Sequence, residues 1–424
     1  MAPSFIEATA TVIFFLAIIH TFLVNQFAKI GHKYPEGSIP ENLFHYLAEI
    51  EAVFGIWSAL FLIIIACSDG LMAPITYLET LNFTEPAFVF VIMAMAGTRP
   101  IVKLSEKLII KSSGLIPILP KRMSFYIAVL ILGPLLGSFI TEPAAMTVTA
   151  LILLKFFYSE EMSKKFKYAT IGLLFVNISI GGTLSHFAAP PVLMVAGKWG
   201  WGLEFMFLNF GYKGAISCVI SSLLMAWYFR DELKGDLSEK KEDPRLMPIP
   251  LWITFIHLLF LVLVVLTAHH MVVFLGLFLF FLGFTIVTNE FQDPIKVKES
   301  LMVGFFLGGL IVLGSHQRWW LQPLLVQLSD YVLFFGSTGL TAITDNAALT
   351  YLGSLVELSD SAKYFLLAGA VSGGGLTVIA NAPNPAGYGI LKNSFDGSSI
   401  SPFGILVGAI MPTIVALACF GLLP

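Results

Sequence analysis

Residues 336–350 read Gly-Ser-Thr-Gly-Leu-Thr-Ala-Ile-Thr-Asp-Asn-Ala-Ala-Leu-Thr, a stretch that sets one carboxylate, Asp345, between long apolar runs. Gly336, Gly339 and five hydroxyl residues accompany it. An earlier stretch repeats its centre. Ile140-Thr-Glu-Pro-Ala-Ala-Met-Thr147 lines up with Ile343-Thr-Asp-Asn-Ala-Ala-Leu-Thr350, matching in threonine, carboxylate, Ala-Ala, an apolar residue and threonine. A carboxylate within a bilayer costs about 2.5–3.5 kcal/mol on insertion scales, so such a residue points to function. Glu142 and Asp345 at matched places in two halves point there together.

The surrounding composition supplies the bilayer. The 424 residues are 57% hydrophobic and 12% charged, with a mean hydropathy of +0.86, which marks an all-α polytopic membrane protein. A net charge of −3 gives no reason to expect a nucleic-acid partner. Cys67, Cys218 and Cys419 are too scattered for a disulfide framework or a zinc site and read as small buried hydrophobes. No basic region and small-residue cleavage site mark the start of the chain, so residues 5–27 are expected to remain as a span.

A crossing takes about 20 apolar residues. About ten crossings are expected, near 5–27, 49–67, 83–98, 166–197, 205–229, 249–268, 270–288, 300–316, 363–391 and 402–422. Two further apolar segments, 123–157 and 320–357, are interrupted midway by the carboxylate motif and read as re-entrant hairpins. With the N-terminus outside, only Lys198, Lys213, Arg318 and Lys363 of the 24 Lys and Arg fall at or near the outer side, as the positive-inside rule favours. Both termini are then extracytoplasmic. Each half holds three crossings, a hairpin and two crossings, so an odd number of passes separates the motifs and the halves are inverted. Residues 1–229 form the first repeat, 230–248 a charged cytoplasmic linker and 249–424 the second. The two hairpin tips would meet near the midplane, as in many secondary transporters. Residues 100–112 place Lys103, Lys107 and Lys111 on one helical face and Ile101, Leu104 and Leu108 on another, which suits an interfacial helix.

After each hairpin comes a helix expected to break. Gly181-Gly182 in the first half aligns with Gly374-Gly375 in the second, and Ala189-Pro190 aligns with Ala382-Pro383 at the same offset. Glycine permits unusual dihedrals and proline removes a donor, so both helices should be discontinuous, with free backbone groups beside the hairpin tip. Such ends bind ions of either sign. Glu142 and Asp345 favour Na⁺ or a proton, with hard oxygens from Thr141, Thr344, Asn346 and Asn381 as further ligands and His186 as a candidate proton carrier.

Plainer readings compete. Thr141-Glu142 and Thr344-Asp345 also fit helix N-caps, although capping needs no charge at the midplane. His186 fits equally a hydrogen-bonded structural histidine. Asn177, Asn381 and Asn384 are expected first to satisfy broken backbone. His269-His270 suit an interfacial turn, and Gly304, Gly308 and Gly309 suit close helix packing. No zinc-protease, nucleophile-elbow or phosphate-loop motif is present, so an intramembrane enzyme is not expected.

Four strings then carry a resemblance: Gly133-Pro-Leu-Leu-Gly-Ser-Phe-Ile-Thr-Glu-Pro-Ala-Ala-Met-Thr147, Gly181-Gly-Thr-Leu-Ser-His-Phe-Ala-Ala-Pro-Pro191, Thr344-Asp-Asn-Ala-Ala-Leu-Thr350 and Asn381-Ala-Pro-Asn-Pro-Ala-Gly387. With them the chain resembles, over nearly its whole length, the bacterial Na⁺/H⁺ antiporter family of the ion transporter superfamily. That resemblance implies paired re-entrant hairpins, elevator-type alternating access, Na⁺ and H⁺ as the transported ions with no other cofactor, and a bacterial inner membrane. It leaves a homodimer open. A Na⁺- or proton-coupled carboxylate or oxyanion carrier is the alternative. Carboxylate carriers of the superfamily bear Ser-Asn-Thr at their hairpin tips, where this chain has Thr-Glu-Pro and Thr-Asp-Asn.

Overall fold

The computed structural model describes residues 3–113, 119–158, 162–234, 248–395 and 399–424, and the described chain is helical throughout. Most of the expected linker, residues 235–247, lies outside the described residues. The first half runs α1 (Phe5–Gly31), α2 (Ile39–Leu47), α3 (Ile50–Asp69), α4 (Ala73–Glu79), α5 (Thr84–Ala96) and α6 (Arg99–Ser113). It continues with α7 (Lys121–Ile140), α8 (Glu142–Phe156), α9 (Lys164–Gly181), α10 (Pro190–Trp199), α11 (Leu203–Met206) and α12 (Tyr212–Tyr228). The second half comprises α13 (Leu251–Leu266), α14 (Met271–Val287), α15 (Val297–Gly314), α16 (Arg318–Leu325), α17 (Asp330–Thr341), α18 (Asn346–Ser354), α19 (Asp360–Gly373), α20 (Asn384–Leu391) and α21 (Pro402–Leu422).

Among the described residues, seven helices are long and apolar enough to cross a membrane, or eight if the pair α4 and α5, bent by 70°, counts as one. The apolar helices α13 and α14 are shorter, at 16 and 17 residues. Helix α7, expected as one limb of a hairpin, is among the seven. Large side chains such as Phe255, Phe280 and Val287 face outward, where hydrocarbon and not water is the suitable solvent.

Two expectations need correction. The second motif does not begin at 320, because the chain breaks between α16 and α17, where the Ser329 hydroxyl caps α17 by accepting from the Val332 amide at 3.4 Å. Breaks at 326–329 and 342–345 divide the segment into three helices, and the limbs around Asp345 are α17 and α18 alone. On α6 the buried stripe is Ile101, Ser105 and Ile109, while Leu108 is 45% exposed. The face chosen from sequence was rotated, because composition shows an apolar face but not which neighbour covers it. The break expected within 363–391 is present, since α19 ends at Gly373 and α20 starts only at Asn384.

Packing places the broken helices at the centre. Helix α9 touches α7, α8, α12, α19 and α21. Helix α8 packs on α20, and α18 packs on α10, so each motif leans on the far side of the break in the other half. A second layer is formed by α1, α3, α5, α14 and α15. In lipid, close approach and hydrogen bonds hold helices together more than apolar burial does. Gly309 shows this, because a β-carbon there would lie 2.3 Å from the Phe54 backbone of α3.

Candidate functional site

The site is built where α7 gives way to α8. Thr141 joins them with φ 74° and ψ 151°, the one non-glycine residue with positive φ among the described residues. Only glycine adopts that region readily, and strain of about 1–3 kcal/mol is typical for other residues held there. The Thr141 hydroxyl is buried without a hydrogen-bond partner, so Thr141 does not cap α8. The next residue, Glu142, is fully buried.

Glu142 is met from the other half of the chain. Asn381, extended within the break between α19 and α20, donates from Nδ2 to Glu142 Oε2 at 2.8 Å. Oε1 of Glu142 and Oδ1 of Asn381 are both buried with no partner. Gly182 makes room for the carboxyl group, since a β-carbon there would sit 2.5 Å from Oε1. Burying polar oxygens without partners is costly, so a cluster of them invites an explanation.

Asp345 behaves differently. Its Oδ1 accepts from the amides of Ala347 at 2.8 Å and Ala348 at 3.1 Å, which makes it the N-cap of α18. A threonine cap with the acid in the first turn is therefore found in neither motif: Thr141 makes no cap bond, Thr344 turns to the Leu340 carbonyl, and the acid Asp345 is itself the cap. Asp345 is within electrostatic reach of Glu142, and the Ala382 amide, next to Asn381, lies beside its carboxyl group. Both acids thus converge on one break, at neighbouring residues.

The remaining candidates divide. Asn346 is buried; it donates to the Ser179 hydroxyl at 3.4 Å and leaves Oδ1 unpartnered. Gly374 stands at the same crossing, where a β-carbon would come within 2.2 Å of the Ser179 hydroxyl. Gly181 and Gly375 are pressed against Pro134 and Val176, as packing positions. Thr344 gives its hydroxyl to the Leu340 carbonyl at 2.9 Å and lines the cavity that Asp345 faces. His186 is not brought to Glu142. It lines a small pocket with Thr84, Glu85 and His269.

Asn177 and Asn384 satisfy broken backbone, as expected from the sequence, whereas Ser138, which works beside them, was missed. Ser138 accepts from the Leu184 amide at 2.9 Å and donates to the Gly181 carbonyl at 2.7 Å, bridging the frayed end of α9. Asn384 does the same in the second half, donating to the carbonyls of Gly374 at 2.7 Å and Thr377 at 2.9 Å. Asn177 donates at 2.8 Å to the Leu130 carbonyl. Leu130 lies four residues before Pro134, which has no N–H to return, so the proline itself was the signal.

Among the described residues no three His, Cys, Asp or Glu side chains converge as a metal centre, so a cation here would rely on hydroxyl, amide and carbonyl oxygens beside a carboxylate. A search of curated proteins found no match. A family model described as "Putative Na+/H+ antiporter" matches residues 5–423, and the chain belongs to that family.

Proposed function

We propose that the protein is a secondary Na⁺/H⁺ antiporter in which Glu142 is the central exchange site. The observation that carries this reading is the fully buried Glu142 carboxyl, held on one oxygen by Asn381 and free on the other. A cation placed there would take oxygens from Glu142, Asn381 and Thr141, all of them dehydrated and unpartnered. Hard oxygen donors suit Na⁺. Protonation removes the charge that retains the cation, so the two ions compete, and competition within one site couples their opposite movements. Asp345, beside the same break, is the second carboxylate and sets the local charge.

The reciprocal packing of α8 on α20 and α18 on α10 supports two inverted repeats, with re-entrant hairpins meeting at the breaks. In this reading the hairpins and broken helices shift as one body against α1, α3, α5, α14 and α15, giving elevator-type alternating access in a bacterial inner membrane. Ion gradients drive transport and no covalent chemistry is involved. A carboxylate or oxyanion in the same place would face two acidic side chains, and no contact favours it.

The test is exchange in proteoliposomes. An imposed Na⁺ gradient should drive proton movement that Glu142→Gln abolishes while the purified variant keeps its thermal stability. Undiminished exchange by that variant would remove Glu142 from the site.

A further inference from the structure

The cavity that Asp345 faces, of about 290 Å³, is walled mainly by apolar side chains, among them Ile379 from the break between α19 and α20. Its walls combine leucines with five aromatic rings. Trp320 and Phe15 have ring centroids 5.6 Å apart, Phe15 and Phe14 6.1 Å, Phe14 and Phe54 5.5 Å, and Phe54 and Phe306 5.3 Å. Five rings from α1, α3, α15 and α16 thus run in continuous contact around a space that meets one carboxylate. The other polar groups at the wall are spent internally, because Thr344 donates to Leu340 and Thr21 donates to the Ile18 carbonyl at 2.7 Å. The α18 cap uses Oδ1 of Asp345, and the Ala382 amide lies beside the same carboxyl group.

This lining matches neither a bare metal ion nor a lipid tail. A small hydrated cation gains little from five apolar rings, and an acyl chain has no use for a carboxylate. Ring faces attract positive charge and offer apolar area together. The volume lies at the small end for ligand pockets and admits on the order of a dozen non-hydrogen atoms.

We infer that this cavity binds a protonated hydrophobic amine, its ammonium on Asp345 and its apolar body against Phe14, Phe15 and Trp320. The amine occupies a carboxylate that the transport reading also uses, but not Glu142, so binding stands or falls independently of exchange.

The experiment is equilibrium binding to the purified full chain in detergent, with no ion gradient, using 2-naphthylmethylammonium and its neutral isostere 2-naphthylmethanol. The ammonium is expected to bind at least about tenfold more tightly than the alcohol, and Asp345→Asn should erase that preference. Asparagine caps a helix as well as aspartate does, so the variant keeps α18. Phe15→Leu and Trp320→Leu should weaken both ligands. Glu142→Gln should bind the amine as the unaltered protein does even if it transports nothing, which separates failure of this site from failure of the antiport reading. Equal binding of alcohol and amine would show an apolar, lipid-type cavity and overturn the inference, as would a preference that survives Asp345→Asn.

Discussion

Asn381 donates its side-chain amide to Glu142 across 239 residues of sequence, at 2.8 Å, and each of the two residues keeps one buried oxygen without a partner. The bond fixes the carboxyl group's orientation and leaves its second oxygen buried without a hydrogen-bond partner. A structural hydrogen bond would be expected to satisfy both groups. This one satisfies half of each, which is the arrangement a third, exchangeable occupant requires.

Removing Asn381 tests that arrangement. Asn381→Ala should reduce the rise in melting temperature that Na⁺ produces, with a smaller effect on the protein without Na⁺. A ligand at 100 times its Kd stabilises by about 2.7 kcal/mol, so its loss is measurable as a thermal shift. An unchanged Na⁺ response in Asn381→Ala would exclude its amide oxygen from the site.

Competition between Na⁺ and H⁺ has a definite sign. Lowering the pH fills the carboxyl group with a proton, and more Na⁺ is then needed to displace it. Where one proton leaves per Na⁺ bound, the half-saturating Na⁺ concentration should rise about tenfold per unit fall in pH. Titrating thermal stability against Na⁺ at several pH values reads this slope, and a flat line contradicts shared occupancy.

Thr141 couples strain to the site. Thr141→Gly should relieve its backbone, raising stability by about 1 kcal/mol after the added chain entropy of glycine is counted. The same change removes a buried hydroxyl, so Na⁺ stabilisation should fall while the apo protein gains. Gly182→Ala acts from the opposite wall. Its β-carbon would overlap Oε1 of Glu142 and should cost about 1–3 kcal/mol along with exchange activity.

Asn177 and Pro134 form a testable pair. Asn177→Ala removes one of two donors to the Leu130 carbonyl and should cost only about 1 kcal/mol, because the Ser222 hydroxyl still reaches that carbonyl at 3.3 Å. In a Pro134→Ala background the restored amide should satisfy the carbonyl, and the cost of Asn177→Ala should shrink. A double-mutant cycle on melting temperature measures the coupling, and strict additivity would separate the two residues.

The sequence by itself determined that the chain is helical and suited to a membrane, and that Glu142 and Asp345 occupy matched positions. It also marked where the helices break, since Gly-Gly and Ala-Pro pairs act locally, through dihedral freedom and a missing donor. Only the tertiary structure decided that the matched acids differ, one left half-free by a distant asparagine and the other capping its own helix. Asn177 and Asn384 were legible as partners for broken backbone and Ser138 was not, while the carbonyl that each one reaches was fixed only by the fold. The physical reason is that a polar side chain's role depends on which orphaned backbone group lies within about 3 Å. That neighbour is supplied by another helix, which no local pattern of residues can reveal.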